Sequence, residues 1–285
     1  MPDAPAMTAS PAPSRDAAAE TWRAAIVRNL EKMVRRLSVD ATRPDAGATL
    51  NPKDVLAARR AAKRVRAFAG MAGDDLADLG ARTIGAANSV RRKLSATRDE
   101  TARRAACDRL GVPPAPAPDA PLAPPELADD LRALAALAAE WRTCKPAAIA
   151  AQNLFDSIAQ TYRKARRRGR KARDKDSAAL HRWRRTAVDL EYRAKLLGAF
   201  YPALDRVATQ ADDLRRALGE AHDLDRLMEW ADLADAPADA DLIARAQARR
   251  NQDVADARTV EKQMLETKPK RWAKSIPKSA RQSSD

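Results

Sequence analysis

Leu180-His181-Arg182-Trp183-Arg184-Arg185-Thr186-Ala187-Val188-Asp189-Leu190-Glu191-Tyr192 reads as a single helix with two chemically opposed faces. At about 3.6 residues per turn, His181, Arg184, Arg185, Tyr192 and Lys195 fall within roughly a third of the circumference, and Trp183, Ala187, Leu190, Ala194 and Leu197 fall opposite. The apolar stripe packs inward, so the histidine and its arginines face a partner or water. A helix of this kind needs other helices to cover it, and the flanking sequence offers little else.

Only 9 glycines occur in 285 residues, β-branched and aromatic residues are sparse, and Ala, Arg, Leu and Asp dominate. No hairpin signal interrupts them, so the expected fold class is all-α. With 45% apolar residues the chain can bury a core. Its 53 Lys and Arg against 39 Asp and Glu give a formal charge of +14, which attracts nucleic acid, inorganic polyphosphate or anionic lipid at long range. The two cysteines, Cys107 and Cys144, can build neither a disulfide framework nor a four-thiolate zinc site, and read as buried, inert thiols. Residues 1–15 lack the basic and apolar regions of a secretion signal, and no stretch approaches the roughly 20 apolar residues of a membrane span. The expectation is a cytoplasmic protein with no membrane partner.

The strongest break is 111–125, with seven prolines in fifteen residues, which reads as an extended connector. It divides the chain into a first helical bundle over 19–110 and a second over 126–266. Residues 1–18 and 267–285 read as disordered tails, the latter basic through Lys268, Lys270, Arg271, Lys274, Lys278 and Arg281. Helices are expected near 18–38, 52–70, 73–94, 98–110, 126–140, 146–172, 177–198, 202–218, 222–233 and 240–266, with an acidic loop over 232–241. The two halves resemble each other. Arg59, Lys63 and Arg66 oppose Ala58, Ala61, Val65 and Phe68 as the 180–192 faces oppose, and Leu94–Asp99 answers Leu218–Asp223, giving a repeat of about 125 residues.

The densest charge is 163–173, where eight of eleven residues are basic. Leu154, Ile158, Tyr162 and Ala165 continue an apolar stripe with Arg163, Arg166, Arg167 and Arg170 opposite, so a folded helix displays the run. Such neighbours repel by a few tenths of a kcal/mol per pair, and a bound polyanion reverses the sign. Arginine suits phosphate oxygens because its planar guanidinium gives two hydrogen bonds to one group. His181, among arginines, can donate to an arriving anion or take a proton, although a half-buried histidine satisfied by a carbonyl fits the spacing equally. Only His222 could join it on a metal, without matching carboxylates or thiols, so no metal and no cofactor is expected. No phosphate-binding glycine loop, nucleophile elbow or zinc-protease helix occurs, so no catalytic residue is assigned. Asp223 and Asp225 read as acids at a helix start. The tryptophans are scattered, and at least three continue apolar stripes, so no base-stacking platform is indicated.

His181-x-x-Arg184-Arg185 with Leu190 and Tyr192, Leu218-Gly219-x-x-His222-Asp223, and Arg59-x-x-x-Lys63-Arg64-x-Arg66, in that setting and over roughly 20–265, together resemble the CHAD family of histidine-containing α-helical domains. The resemblance implies two pseudo-symmetric bundles of about four helices each around a basic central cavity. It also implies non-enzymatic binding of inorganic polyphosphate, at polyphosphate granules in bacterial cells. Carried over, Arg59, Lys63, Arg64 and Arg66 line the cavity from the first half and His181, Arg184 and Arg185 from the second, with Lys195 on the same basic face. Arg163, Arg167 and Arg170 match the basic helix before the second motif. Three positions depart from the family's pattern: Leu56 stands for a histidine, Val188 for a basic residue and Glu191 for an arginine. Each removes charge or a donor, which reduces affinity or shifts preference to a shorter anion. Two alternatives accompany this reading. One is a nucleic-acid-binding, nucleoid-type protein using the basic run and tail; the other is a metal-dependent phosphoanhydride hydrolase, for which Asp189 and Glu191 are the only nearby carboxylates on the motif helix.

Overall fold

A computed structural model describes residues 15–38, 50–111, 127–145, 151–174, 176–232 and 240–282. Among these residues there are ten α-helices and no strand: α1 Arg15–Ser38, α2 Pro52–Ala69, α3 Ala77–Lys93, α4 Ser95–Leu110, α5 Leu127–Thr143, α6 Ala151–Lys171, α7 Ser177–Gly198, α8 Ala203–Asp232, α9 Ala240–Met264 and α10 Pro269–Gln282. The chain is all-α, and none of these helices is long and apolar enough to cross a membrane.

Local chemistry sets the helix ends that frame the site. The Asn51 side chain accepts from Lys53 N at 2.9 Å and Pro52 fills the first position of α2, where a missing N–H costs nothing. Asp176 caps α7 through Ala179 N at 2.8 Å. Because glycine is scarce, several helices end on an arginine from elsewhere. Arg23 of α1 donates to Arg142 O and Cys144 O at the end of α5, both at 2.8 Å. Arg59 of α2 donates to Arg91 O and Leu94 O at the end of α3, also at 2.8 Å. Arg258 of α9 reaches Gly169 O and Ala172 O at the end of α6. In each case a cation meets the carbonyls that a helix leaves without intrahelical donors.

The apolar stripes pack as their periodicity requires. Ala58, Ala61 and Val65 of α2, Leu154, Ile158, Tyr162 and Ala165 of α6, and Trp183, Ala187, Leu190 and Ala194 of α7 are all buried in one continuous core. Helix α1 packs on α2 and α5, and α3 packs on both α2 and α5. Helices α6, α7, α8 and α9 follow one another as neighbours, and α2 crosses onto α7.

Four expectations change. The proline-rich stretch does not separate two self-contained bundles: α5, expected in the second, packs on α1 and α3, and α4, expected in the first, packs on α8. Apolar surface decides this. Leu127, Leu131, Leu134 and Trp141 of α5 are buried, with Trp141 edge-on to Trp22 at 5.2 Å and its Nε1 donating to Thr83 Oγ1 at 2.9 Å. Ala106 and Cys107 of α4 instead join Leu224, Leu227 and Ala246 in a smaller cluster. The connector itself lies outside the described residues. Secondly, 203–232 is one helix of 30 residues. Gly219 inside it forfeits roughly 1 kcal/mol against alanine, which the buried stripe Leu214, Leu218, Ala221, Leu224 outweighs. Thirdly, the basic C-terminal segment forms α10 over Pro269–Gln282, because Trp272 and Ile276, one turn apart, are buried on α6 and α8. Trp272 stacks on Tyr162 with centroids 4.1 Å apart and planes 6° from parallel. Lastly, α1 begins at Arg15, inside the segment expected to be disordered; residues 1–14 lie outside the described residues. Of the two thiols, Cys107 is buried and Cys144 is half-buried.

Arg193 ties the centre together. Its Nε donates to Ala67 O of α2 at 2.9 Å, and its Nη1 donates to Thr161 Oγ1 at 2.6 Å and Ser157 Oγ at 2.9 Å on α6. Burial pushes its pKa down to about 10, partly offset by Asp189. Hydrogen bonds to a buried cation contribute about 1.5–3 kcal/mol each, and their acceptors lose partners when it is removed. Arg193→Met is therefore expected to cost about 3 kcal/mol and to lower the melting temperature by roughly 6–12 °C. A thermal melt followed by circular dichroism measures it, and a midpoint within a degree or two of the parent rules out this role.

Candidate anion-binding site

Where α2 crosses α7, their basic faces meet across a pocket of about 120 Å³. It is lined by Arg59, Lys63 and Arg66 of α2, Arg91 of α3, His181, Arg184, Arg185 and Val188 of α7, and His222 of α8. Six of the residues expected from sequence therefore converge: Arg59, Lys63, Arg66, His181, Arg184 and Arg185. The α2 members recur at four and then three residues, so one helix face carries them all.

The lining contains six guanidinium or ammonium groups, two imidazoles and no carboxylate. Arg91 registers the consequence, since burial and the nearby Arg66, Arg185 and Arg59 push its pKa down to about 10. Beside the lining stands Asp189, whose Oδ1 accepts from Arg66 Nη2 at 2.6 Å and Nε at 3.2 Å. Like charges gathered in a partly desolvated recess favour an anion in their midst. The rings of His181 and His222 stand 4.7 Å apart, tilted by 45°. Gly219, buried one turn before His222 on α8, carries no Cβ where Arg184 runs; a Cβ there would lie 3.2 Å from Arg184 Nη2 and 3.3 Å from its Nε.

Other expected residues sit elsewhere. Arg64 and Lys195 line a wider neighbouring pocket of about 620 Å³ that shares Lys63 with the first. Lys195 is engaged there by Glu191, Nζ to Oε1 at 2.8 Å, and the buried Glu191 also meets Arg215 Nε at 2.8 Å. The lysine thus faces a carboxylate already in place. Arg163, Arg167 and Arg170 line neither pocket and are exposed on α6. The register of α6 explains it: with Tyr162, Ala165 and Gly169 buried, Arg168 is the basic residue turned to α7, donating to Arg182 O at 2.8 Å and Thr186 Oγ1 at 2.6 Å. Lys164 lies on the same edge, within electrostatic reach of Asp189 and Arg193. The expected residues stand about a quarter turn or more away, on the exposed side of α6.

Sequence reasoning missed Arg91 and His222 as lining residues. His222 was visible in the Leu218–Asp223 element, but reading a helix start there hid it; α8 runs straight through and presents it one turn after Gly219. The same continuity corrects the reading of Asp225. It is no acid at a helix N-terminus but accepts from Ser177 Oγ at 2.7 Å and Arg250 Nε at 3.0 Å, joining α7, α8 and α9. Arg91, in the basic last turn of α3, shows no signal in sequence beyond complementing that helix's dipole. Val188 is buried and forms the apolar part of the pocket wall.

Among the described residues no group of three or more His, Cys, Asp or Glu is placed to hold a metal ion. Comparison with protein-family models, curated proteins and solved structures gives no match. The chemistry of the pocket therefore carries the functional reading.

Gly219→Ala separates packing from binding. The added methyl crowds a guanidinium that can move, and alanine favours the helix by up to about 1 kcal/mol. The variant is expected to melt at or above the parent temperature while binding phosphate anions several-fold more weakly by isothermal titration calorimetry. Unchanged binding with unchanged stability eliminates Gly219 as the cradle of Arg184.

Proposed function

We propose that this chain binds inorganic polyphosphate, without cleaving it, in the pocket between α2 and α7. The carrying observation is the convergence of Arg59, Lys63, Arg66, Arg91, Arg184 and Arg185 with two histidines and no carboxylate in one lining. Guanidinium groups in that density offer paired donors to successive phosphates, and the shared Lys63 provides continuity to the wider pocket holding Arg64. The resemblance of the three basic elements to the CHAD family supports the same ligand. In this reading the fold is two pseudo-symmetric helical bundles around a basic central cavity, with α5 contributed to the first and α4 to the second, and with α2 and α7, which carry the two copies of the basic pattern, facing one another. Arg59 and Arg184 occupy corresponding places one repeat apart. A cytoplasmic protein of this kind would accumulate at polyphosphate granules.

Binding without hydrolysis is favoured by how the neighbouring carboxylates are used. Asp189 is committed to Arg66, and Glu191 to Lys195 and Arg215. Phosphoryl transfer assisted by metal ions asks for carboxylates available to hold them. The departures from the family also find a place: Val188 supplies apolar wall, Glu191 is buried in its own ion cluster, and Leu56 is half-buried on α2.

The double variant Arg184→Ala with Arg185→Ala removes one half-buried and one exposed guanidinium without touching the buried stripe of α7. Polyphosphate affinity is expected to fall by roughly one to two powers of ten, at about 1.4 kcal/mol for each tenfold. The slope of log affinity against log salt should lessen by roughly one to two. Far-UV circular dichroism is expected to be unchanged. Equal affinity in parent and variant across two ionic strengths would falsify the site.

A further inference from the structure

The lining of the wider pocket divides by helix. Arg28 of α1 and Arg60 and Arg64 of α2 belong to it, and none of the three meets a carboxylate among the described residues. Its α7 and α8 members are balanced among themselves: Glu191 meets Lys195 and Arg215, and Asp212 meets Arg215 and Arg216. The same lining holds apolar surface from Phe68 of α2 and from Tyr192 and Leu196 of α7. Arg64 lies over the Tyr192 ring, its guanidinium carbon 5.6 Å from the centroid. Burial and the nearby Glu191 push the Tyr192 pKa up, so its hydroxyl keeps its proton and remains a donor. At about 620 Å³, against about 120 Å³ for the neighbour with which it shares Lys63, this pocket has the volume usual for an organic ligand rather than for phosphate groups alone.

We propose that the two pockets together take a nucleoside polyphosphate, with its phosphates in the α2–α7 pocket and its nucleoside in the wider one. This inference rests on the polyphosphate reading of the first pocket and adds a second class of ligand to it. A phosphate chain that continues past Lys63 finds cations along α2, at Arg60 and Arg64, but the α7 and α8 members of the lining meet it with carboxylates and apolar carbon. Bringing phosphate charge against those groups is unfavourable. An uncharged planar body joined to the chain reverses the balance. It covers Phe68 and Leu196, stacks on the Tyr192 ring or on a guanidinium plane, and offers exocyclic N–H groups to the half-buried Asp212. A sugar phosphate lacks the π face and an acyl phosphate lacks the hydrogen-bonding edge, so the lining fits a nucleobase better than either.

Isothermal titration calorimetry of the full chain, with divalent metal chelated, compares ATP with tripolyphosphate, which carries a similar charge and no nucleoside. ATP is expected to bind the parent about tenfold more tightly, the usual gain from one base stacked on an aromatic ring. Excess tripolyphosphate should displace it, because the two share the narrow pocket. Tyr192→Leu removes the ring without changing charge and should abolish most of the ATP advantage; Leu196→Gln should abolish part of it. Both variants, with circular dichroism unchanged, should bind tripolyphosphate as the parent does. ATP no tighter than tripolyphosphate in the parent overturns the proposal, and so does an ATP advantage that both variants retain or that excess tripolyphosphate leaves untouched. If tripolyphosphate binds and is lost in the Arg184→Ala, Arg185→Ala variant while ATP gains nothing over it, only the nucleoside assignment falls. Binding of neither ligand by the parent removes the pocket reading and this one with it.

Discussion

An arginine laid on the carbonyl end of a neighbouring helix is the contact on which this architecture depends. Four helices receive one: α2 from Arg193, α3 from Arg59, α5 from Arg23 and α6 from Arg258. A helix terminus exposes carbonyls that need donors, and the C-terminal end of its dipole prefers a cation. Meeting that need with a side chain from another helix converts a local deficit into a tertiary tie. It also fixes angle and register, since one guanidinium must reach two or three acceptors at once.

The same side-chain chemistry serves three ends, and position alone separates them. Arginines on the inward edges tie helices: Arg193 joins α7 to α2 and α6, while Arg250 and Arg258 join α9 to Ala172, Asp174 and Asp225. Arginines at the α2–α7 crossing gather around the pocket, where Asp189 offsets only part of their repulsion. Those on the outer face of α6 meet neither carbonyl nor carboxylate among the described residues. Position along the fold, and not residue type, thus decides whether an arginine ties helices, lines the pocket or faces outward.

Three glycines stand where bulk would displace a cation or an acid. Gly219 admits Arg184, Gly70 admits Arg193, and Gly169 admits the Glu261 carboxylate beside Trp183. Each lies within or directly after a helix whose propensity it lowers. The loss is tolerated because buried stripes on both sides hold the helix together.

The sequence by itself determined the all-α class, the inward stripes of α2, α6 and α7, and the faces bearing Arg59, Lys63, Arg66, His181, Arg184 and Arg185. Those follow from the period of a helix, which is local. It also contained α10, since Trp272 and Ile276 stand one turn apart, but proline and charge in that segment outweighed two apolar residues whose partner, Tyr162, is more than a hundred positions away. Tertiary structure alone decided that α5 packs with α1 and α3, that α4 rests on α8, and that α8 continues through Gly219 to bring His222 to the pocket. It alone recruited Arg91, turned Lys164 and Arg168 toward α7, and left Arg163, Arg167 and Arg170 outside. Helical periodicity states which residues share a face but not what that face meets, because the meeting depends on how buried apolar stripes from distant segments compete for one core.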